Sequence, residues 1–456
     1  MTTGSVAKHL LVFSVPLLLG NLIQQLYNTV DTWVVGNYVG NAAFSAVGTL
    51  NPALNLLIGF FSGFASGAGV IISQYYGAGR HDKVHDAVHS SIFLSIVLSI
   101  ALSVTGVLIT PALVRFMNTP ADVVPESTAY LSIYFAGLSG LLFYNMGAGI
   151  LRAVGDSRRP FIYLAVSAVT NIILDLIFVI RFHMGVRGVA YATIIAQFIS
   201  AGMTLAALLR TEDSVRVKPA EVRYDSIMLR RIVAMGVPTA IQISITSFSN
   251  TFVQAYINRF GTDCMGGWTA YSKLNQFIFT PLQSMGVAIM TFVGQNIGAG
   301  QRERARKGVR TALLISVAIT VAAGGLQILY APQATAFLNR KAEVVAYGTM
   351  FIRYYTGWCL FACLTQVLSG AIRGMGNTRI PMIAMLGSYV VFRQVYLFVF
   401  SHYISDTPLA LGFGYPAGWV LCAAVHTVAY YRLFAEIKEG AASRPSSRKE
   451  SEVSHT

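Results

Sequence analysis

Two carboxylates, Asp31 and Asp175, lie deep inside apolar stretches of this 456-residue sequence. An ionisable side chain at the centre of a membrane-spanning helix costs roughly 2.5–3.5 kcal/mol on insertion scales, so each needs a reason to be there. Two carboxylates brought close together repel, and burial disfavours their charged forms. A bound proton or sodium ion would relieve that cost. The alternative is that each Asp is a structural group, hydrogen-bonded to neighbouring helices.

Polar side chains share helical faces with both carboxylates. Asp31 follows Gln24 and Asn28 at the i, i+4, i+7 spacing of one helical face, and Asp175 follows Asn171 by one turn. Two further apolar stretches offer Tyr130, Tyr134, Thr193, Gln197 and Ser200. Such stripes are costly against lipid, so we expect them to converge inside one helical bundle. There they would supply oxygen ligands for a cation or carry protons.

The second half of the sequence has no deep carboxylate but carries Lys273, Arg353 and Arg393 within its apolar stretches. We expect Arg353 to snorkel towards the outer surface. Lys273 and Arg393 lie deeper, where they could line a central cavity and pair with substrate or with the two acidic residues. The residues predicted to line that cavity are Gln24, Asn28, Gln197, Lys273 and Arg393.

Other patterns of reactive residues are weak. His81, His85 and His89 share a helical face, a spacing that can bind metal but more often belongs to a solvated surface. The sequence shows no Ser-His-Asp order, P-loop, G-x-G-x-x-G or H-E-x-x-H pattern. We therefore expect no enzyme, no cofactor, no metal beyond a coupling ion, and no direct use of ATP.

The composition points to lipid as the surrounding solvent. Apolar residues make up 54% of the chain and charged residues 11%, with a mean hydropathy of +0.59. A soluble domain has about 25% charged residues, so too few are present to face water. The net charge of +14 sits mostly in short loops, which is typical of a membrane protein and not of a nucleic-acid surface. The four cysteines fall inside apolar segments and are expected to stay reduced.

Twelve apolar stretches are long enough to cross a bilayer, which takes about 20 helical residues. They are long and continuous, which favours helices over the short alternating strands of a barrel. The predicted spans are residues 9–36, 44–75, 85–110, 123–147, 159–181, 187–209, 229–258, 264–296, 308–330, 343–370, 380–403 and 408–435. The predicted fold class is therefore an all-α polytopic membrane protein of 12 transmembrane helices.

The distribution of Lys and Arg predicts the orientation. With the N-terminus in the cytoplasm, six of the 33 basic residues fall in outside loops: Arg115, Arg181, Arg187, Arg259, Arg340 and Lys341. Most of the others fall in cytoplasmic segments, which follows the positive-inside rule. We expect both termini in the cytoplasm and the chain in the inner membrane. The first apolar run is expected to be an uncleaved span, because it is too long for a signal peptide and contains Asn21.

The sequence repeats itself. Three pairs of segments recur at an offset of 221 or 222: Val15-Pro16 with Val237-Pro238, residues 74–79 with 295–300, and residues 151–160 with 372–381. Each half holds six spans, so the halves enter from the same side and are related by an axis along the membrane normal. We divide the chain into an N-lobe (1–210), a cytoplasmic linker (211–227), a C-lobe (228–437) and a disordered cytoplasmic tail (438–456).

Together these motifs resemble the multidrug and toxic compound extrusion (MATE) family, and within it the DinF-like branch. The resemblance covers nearly all of residues 8–437 and rests on five segments: 16–36 with Asn-Thr-Val-Asp-Thr, 74–79, Leu-Arg-Ala-Val-Gly-Asp at 151–156, Asn-Ile-Ile-Leu-Asp at 171–175, and 293–300. It implies a V-shaped transporter of two pseudo-symmetric six-helix lobes around a central cavity. Such a protein alternates between inward-open and outward-open states and exchanges Na⁺ or H⁺ for small organic substrates, here expected to be cationic or zwitterionic.

The resemblance also assigns residues. It places the cation-coupling site, and the Na⁺ ligands if the ion is sodium, at Asp31, Asn171, Asp175 and Thr193, with Tyr130 nearby. The NorM-like branch also uses carboxylates in the C-lobe, which this sequence lacks.

The movement expected of the first span is a bend near Pro16 and Gly20, since Pro weakens the local helix ladder. We expect a monomer in the lipid bilayer. The alternative function is a lipid-linked oligosaccharide flippase of the related superfamily, which the basic Lys273 and Arg393 would suit.

Overall fold

The chain is described by a computed structural model over residues 1–116 and 123–442. Within those ranges all regular elements are helices, joined by short loops, and no strand is present. The helices are α1 (Val6–Val39), α2 (Asn41–Gly77), α3 (His81–Phe116), α4 (Val124–Ala136), α5 (Leu138–Ala153), α6 (Arg158–Arg181), α7 (Gly185–Arg210), α8 (Ser226–Asn258), α9 (Thr262–Gly298), α10 (Arg302–Leu329), α11 (Ala331–Leu338), α12 (Ala342–Gly374), α13 (Arg379–Ile404), α14 (Pro408–Gly412) and α15 (Gly414–Ala442).

The number of spans agrees with the sequence. Eleven helical segments of the described chain are long and apolar enough to cross a bilayer. A twelfth span forms when α4 and α5 are counted together, although they meet at a bend of 46°. The bend lies at Gly137, where an added Cβ would collide with Ile194. The predicted all-α fold of twelve spans is therefore confirmed.

The helices form two lobes. Helices α1–α7 pack together, as do α8–α15, and α2 and α8 make the main contact between the two groups. The first turns of α1 and the last turns of α15 share one apolar cluster, which includes Leu10 and Tyr430. Both ends of the described chain therefore lie on one face of the bundle, called the terminal side below.

Helix ends follow from local sequence. The Asp225 carboxylate accepts the N–H groups of Ile227 and Met228 at 2.9 and 3.0 Å and so caps α8. After α2 and α9, Gly79 and Gly300 adopt φ values of 67° and 72°. Only glycine takes this conformation without strain, so both repeats end a helix and turn the chain.

A seam of small residues joins α2 to α8. A Cβ on Gly63 would meet the backbone of Ala240, and a Cβ on Gly67 would meet the backbone of Gly236. Small residues spaced by four let two helices approach until their backbones touch. The lobes therefore have no room for larger side chains along this part of their interface.

Two glutamines join the lobes at the terminal side. Gln74 Nε2 donates to the Gly374 carbonyl at 2.8 Å, and Gln295 Nε2 donates to the Ala153 carbonyl at 2.7 Å. Both glutamines begin the repeats that end in Gly-Ala-Gly, and both carbonyls belong to the other pair of repeats. The repeats thus contact each other across the pseudo-twofold axis, and these bonds join the lobes at the terminal side.

The linker and the tail differ slightly from the predicted bounds. Because α8 begins at Ser226, the connection between the lobes is residues 211–225. Helix α15 continues to Ala442, so the first residues of the predicted disordered tail are helical. The rest of that tail, from 443 onwards, lies outside the described residues.

Candidate functional site

A pair of carboxyl groups is buried in the N-lobe, in the half of the bundle away from the terminal side. Asp31 on α1 is 9% exposed, and Asp175 on α6 is 0% exposed. The two side chains interact directly with each other. Within the described chain, no donor hydrogen-bonds to Asp31 Oδ1 or to either carboxyl oxygen of Asp175.

The two helices are shaped around this pair. Helix α1 ends in a π-helical turn at Val35–Val39, shortly after Asp31, and α6 ends in another at Ile177–Arg181, shortly after Asp175. The two turns contact each other. A π turn widens the helix locally and is frequent at functional sites. The surrounding cluster is apolar, which makes an uncompensated charge there expensive.

The other predicted coupling residues are buried in the same lobe. Asn171 lies one turn before Asp175, and neither atom of its amide has a hydrogen-bond partner among the described residues. The Thr193 hydroxyl, on the neighbouring helix α7, donates to the Val189 carbonyl at 3.0 Å and keeps its oxygen lone pairs. Tyr130 is buried within electrostatic range of both carboxyl groups.

The chemistry open to this arrangement is limited. As two anions in contact, Asp31 and Asp175 would repel each other. One shared proton would convert the contact into a hydrogen bond. A small hard cation would instead take oxygens from both carboxylates, with the Asn171 carbonyl as a further ligand. The pair can therefore hold a proton or a sodium ion.

A cavity of about 810 Å³ lies between the lobes. That volume is typical of a site for a drug-sized molecule. Its walls are rich in amide and hydroxyl side chains from both lobes. The C-lobe adds aromatic groups, namely Trp268, Tyr271, Phe279, Tyr389, Tyr415 and Trp419.

Three of the five residues predicted to line the cavity are among its lining residues: Gln24, Gln197 and Arg393. Arg393 is 1% exposed, and its Nη1 donates to Asn250 Oδ1 at 2.8 Å. The partner of this guanidinium is therefore an amide of its own lobe and not Asp31 or Asp175.

Asn28 and Lys273 were predicted to line the cavity, and the structure does not place them there. Asn28 is exposed, because the cavity wall formed by α1 ends at Tyr27, one residue earlier. Lys273 is exposed on α9, where Ser272 and Asn275 set the cavity face. Successive residues of a helix point about 100° apart, so Lys273 is turned away from that face.

Two lining arginines were missed. Arg152 and Arg373 line the cavity, although the sequence assigned both to loops on the cytoplasmic side. They precede the last residues of α5 and α12, so their long side chains reach back along the helices into the cavity. A signal was present, because the two arginines occupy the same position in the repeats at 151–160 and 372–381.

Side chains that line the cavity also lie close to the carboxyl pair. Tyr27 lines the cavity and lies within electrostatic range of Asp31. On α7, Gln197 also lines the cavity and lies close to the buried Tyr134. A movement of α1 would therefore act on both places at once.

The predicted hinge of α1 is a continuous helix in this structure. Pro16 has no N–H group, so the Val12 carbonyl lacks its usual partner in the helix. A Cβ on Gly20 would lie 3.5 Å from the Leu164 side chain, so α1 packs closely on α6 there. The bend at these residues stays a prediction.

The histidine face of α3 holds the linker. The Lys218 N–H donates to His89 Nε2 at 3.0 Å, so the other ring nitrogen, Nδ1, donates to the His85 carbonyl. His85 Nε2 lies 2.9 Å from Glu221 Oε2. The Lys218 ammonium, which hydrogen-bonds to Glu221, lowers the pKa of that carboxyl group. Atoms of the two imidazoles and Glu221 lie within 4.8 Å of one another, close enough to share a metal ion, yet each is already engaged.

Twelve spans, two repeated lobes and a cavity between them define a multi-pass membrane transporter. Two segments, residues 16–177 and 238–399, each match the family model described as MatE. The chain therefore belongs to the MatE family, the multidrug and toxic compound extrusion transporters, as its motifs predicted.

Known relatives agree with this assignment. The "Probable multidrug resistance protein YpnP" of Bacillus subtilis (strain 168) is 26% identical over 431 residues, which cover 94% of this chain and 96% of that protein. A crystal structure of MATE in the bent conformation is 22% identical and covers 96% of this chain and 98% of that chain, with a TM-score of 0.91. A MOP superfamily transporter from Pyrococcus furiosus, described as having a binding pocket of reverse polarity that suggests a different function, has a TM-score of 0.89 at 22% identity and covers 95% of this chain and 97% of that chain. The two structures show the shared fold.

Proposed function

We propose that the chain is a secondary active antiporter that exports small organic compounds in exchange for H⁺ or Na⁺. The observation that carries this proposal is the contact between Asp31 and Asp175, buried and without hydrogen-bond donors from the described chain. Ionisable groups held in this way inside a membrane are rare and characteristically mark substrate or ion pathways. The name of the Bacillus subtilis relative, a multidrug resistance protein, supports small organic compounds as cargo.

The proposed location is the inner membrane, with both termini in the cytoplasm. The distribution of Lys and Arg supports this orientation, because the loops opposite the terminal side carry few basic residues. The glycine seam and the two glutamine bonds then close the cavity towards the cytoplasm. The structure would accordingly correspond to an outward-facing state of an alternating-access cycle.

In the proposed cycle, the ion reaches the N-lobe from outside and neutralises the pair formed by Asp31 and Asp175. Helix α1 then bends near Pro16 and Gly20. Because Tyr27 belongs to α1 and also lines the cavity, this bend withdraws part of the cargo's binding surface. The protein returns inward, releases the ion and binds new cargo. The ion drives transport only through its different affinity for the two states.

Either ion fits the site. The direct contact of two carboxyl groups suits a shared proton. The unpartnered carbonyl of Asn171 and the Thr193 hydroxyl would complete a set of oxygen ligands for sodium. We propose that the protein acts as a monomer, since one chain supplies both walls of the cavity.

The second candidate function is a lipid-linked oligosaccharide flippase. The arginines that line the cavity favour it, because a lipid diphosphate would bind to guanidinium groups. The volume of about 810 Å³ supports a small cargo instead.

The test is counterflow in proteoliposomes, with sodium and pH gradients imposed separately and a panel of cationic, neutral and anionic dyes as cargo. We expect Asp31→Asn to abolish gradient-driven efflux while the protein still folds and inserts. The matched control is Asp263→Asn. It removes a partly exposed carboxylate in the first turn of α9, which pairs with Lys341. Normal gradient-driven efflux by Asp31→Asn would refute the coupling role.

A further inference from the structure

The cavity is positively charged. Arg152, Arg373 and Arg393 line it, and no Asp or Glu is found among its described lining residues. The six ion pairs that the described residues form all lie elsewhere, so none of these guanidinium groups has a carboxylate partner. A charge held away from water without a counter-charge is costly, and a bound anion would remove that cost.

Arg393 is the most constrained of the three. Its guanidinium lies 4.1 Å from the ring centroid of Tyr415 and 5.1 Å from that of Tyr389. Asn250 accepts its single side-chain hydrogen bond among the described residues, and its Nε has no acceptor. Stacking and one amide orient the group but do not neutralise it. It also lies in the middle of α13, far from any helix end that could stabilise a cation.

Arg152 and Arg373 form a pseudo-symmetric pair at the terminal-side end of the cavity. Each comes from a different lobe and from the same position of the repeat. Arg373 Nε donates to the Ser369 carbonyl at 3.3 Å, in its own helix. Both lie at helix C-termini, where the helix dipole offsets part of a positive charge. The dipole cannot account for Arg393, so the three share only their access to the cavity.

We propose that the cargo is an organic anion. Its acidic group, a carboxylate, sulfonate or phosphate, binds to the guanidinium groups, whose planar N–H donors match such oxygens in pairs. Its apolar or aromatic body packs against Trp268, Phe279 and Trp419. The proposal rests on the transport function proposed above. It replaces the cationic or zwitterionic cargo that the family resemblance led us to expect.

An anionic cargo changes how the ion must act. By charge alone, a cation bound between Asp31 and Asp175 would strengthen the binding of an anion in the nearby cavity. Antiport therefore requires the movement of α1 and Tyr27 to outweigh this attraction. The effect of Na⁺ or H⁺ on anion affinity measures which of the two dominates.

The test uses the full chain in nanodiscs of zwitterionic phosphatidylcholine, so that no anionic lipid competes. Three anthracene probes share one ring system and differ in charge: the carboxylate, the neutral alcohol and the methylammonium. Quenching of tryptophan fluorescence reports binding beside Trp268 and Trp419. Two variants, Arg393→Gln and the double variant Arg152→Gln/Arg373→Gln, remove the positive charges. Arg393→Lys keeps the charge without the planar donors, and Arg259→Gln removes an exposed arginine paired with Asp406 as the control.

We expect the carboxylate to bind most tightly and each charge-removing variant to weaken its binding by at least about tenfold, because hydrogen bonds between charged groups are stronger than those between neutral groups. The neutral alcohol should be affected far less. Three results would overturn the proposal. The methylammonium probe could bind more tightly than the carboxylate, or Arg393→Gln could leave the carboxylate affinity unchanged. The third is that chloride binds while the carboxylate binds no better than the alcohol.

The same nanodiscs separate this proposal from the transport proposal. Asp31→Asn should still bind the carboxylate probe but lose the effect of the ion on its affinity. If the wild-type protein instead transports a cationic dye under an ion gradient and ignores the carboxylate, the cargo proposal fails while the antiport proposal stands. If the carboxylate probe binds but its affinity responds to neither Na⁺ nor H⁺, the antiport proposal fails while the cargo proposal stands.

Discussion

The two lobes share one fold and use corresponding positions differently. At the offset of 222 that relates the two matched segments, Asp31 corresponds to Val253 and Asp175 to Leu397. Val253 and Leu397 are both fully buried in one apolar cluster of the C-lobe. The place that holds two carboxyl groups in the N-lobe is therefore filled with hydrocarbon in the C-lobe.

At the positions next to this place, the N-lobe carries neutral side chains and the C-lobe carries a charged one. At the same offset, Asn171 corresponds to Arg393 and Asn28 to Asn250, and in the C-lobe these two residues are hydrogen-bonded to each other. The π turn Leu386–Phe392 directly precedes Arg393 and accommodates the residue by which the offset grows from 221 to 222. One scaffold thus holds two acidic groups in one copy and a basic group at a neighbouring position of the other, and under the proposed function this would separate the ion from the cargo.

The largest expected effect tests that separation directly. Asp175→Asn should reduce gradient-driven transport to the background of empty liposomes, because the ion site loses a carboxylate. Its affinity for the cargo should stay within about twofold of the wild type, a change of less than 0.5 kcal/mol. Arg393→Gln should do the reverse, with weakened cargo binding and intact ion binding. Isothermal titration with sodium measures the affinity for Na⁺, and proton release on sodium addition measures competition between Na⁺ and H⁺. Counterflow measures transport. If either variant lost both properties, the division of labour between the lobes would be wrong.

A medium effect is expected at the seam between the lobes. Gly63→Leu places a side chain against the backbone of Ala240, and such overpacking costs about 1–3 kcal/mol. We expect the fraction of molecules whose lobes are separated at the terminal side to rise by about tenfold. Double electron–electron resonance measures the distance between spin labels at Arg80→Cys and Gln301→Cys. Both positions are exposed and correspond to each other in the two repeats.

The control for the seam is Gly202→Leu on α7. An added Cβ there has no atom within 4 Å, so the substitution has the same chemistry without the contact. Equal distance distributions in the two leucine variants would show that the seam does not hold the lobes together.

The smallest effect is expected at the reciprocal glutamines. Gln74→Ala and Gln295→Ala each remove a cross-lobe hydrogen bond, worth about 1 kcal/mol. We expect the same labels to report shifts of the same sign from either lobe. The control Gln327→Ala removes a bond to the Leu274 carbonyl, inside the C-lobe, and should leave the distance unchanged. If the distance changed in Gln327→Ala but not in Gln74→Ala or Gln295→Ala, the two cross-lobe hydrogen bonds would not be what holds the lobes together at the terminal side.

Much of the architecture was readable in the sequence. Long apolar runs predicted every span, and the recurring segments predicted the two lobes. The approach of Asp31 and Asp175 was predicted because both carboxylates lie on polar faces of helices that must bury those faces in the same bundle. The helical period sufficed for contacts within one lobe.

Contacts between the lobes were harder to predict. Which residues line the cavity depends on the rotation of one lobe against the other, and no periodicity within a helix encodes that angle. Lys273 was assigned to the cavity although its helical phase turns it away from the face of Ser272 and Asn275, and Arg152 and Arg373 were missed because they were placed in loops beyond the predicted spans. The glycines that set the approach of α2 to α8, Gly63 and Gly67, were not singled out in the sequence, because a spacing within one helix does not identify its partner helix.

The reciprocal glutamine bonds have the form of an isologous interface, in which the same patch of each subunit binds the other about a twofold axis. A chain of half this length would make both bonds by pairing with a second copy of itself. In such a dimer every substitution appears twice, so an acidic pair could not be kept on one side and exchanged for hydrocarbon on the other. Joining the copies into one polypeptide removes that constraint. The covalent connection at residues 211–225 is thus what allows valine and leucine to stand in one copy where aspartates stand in its twin.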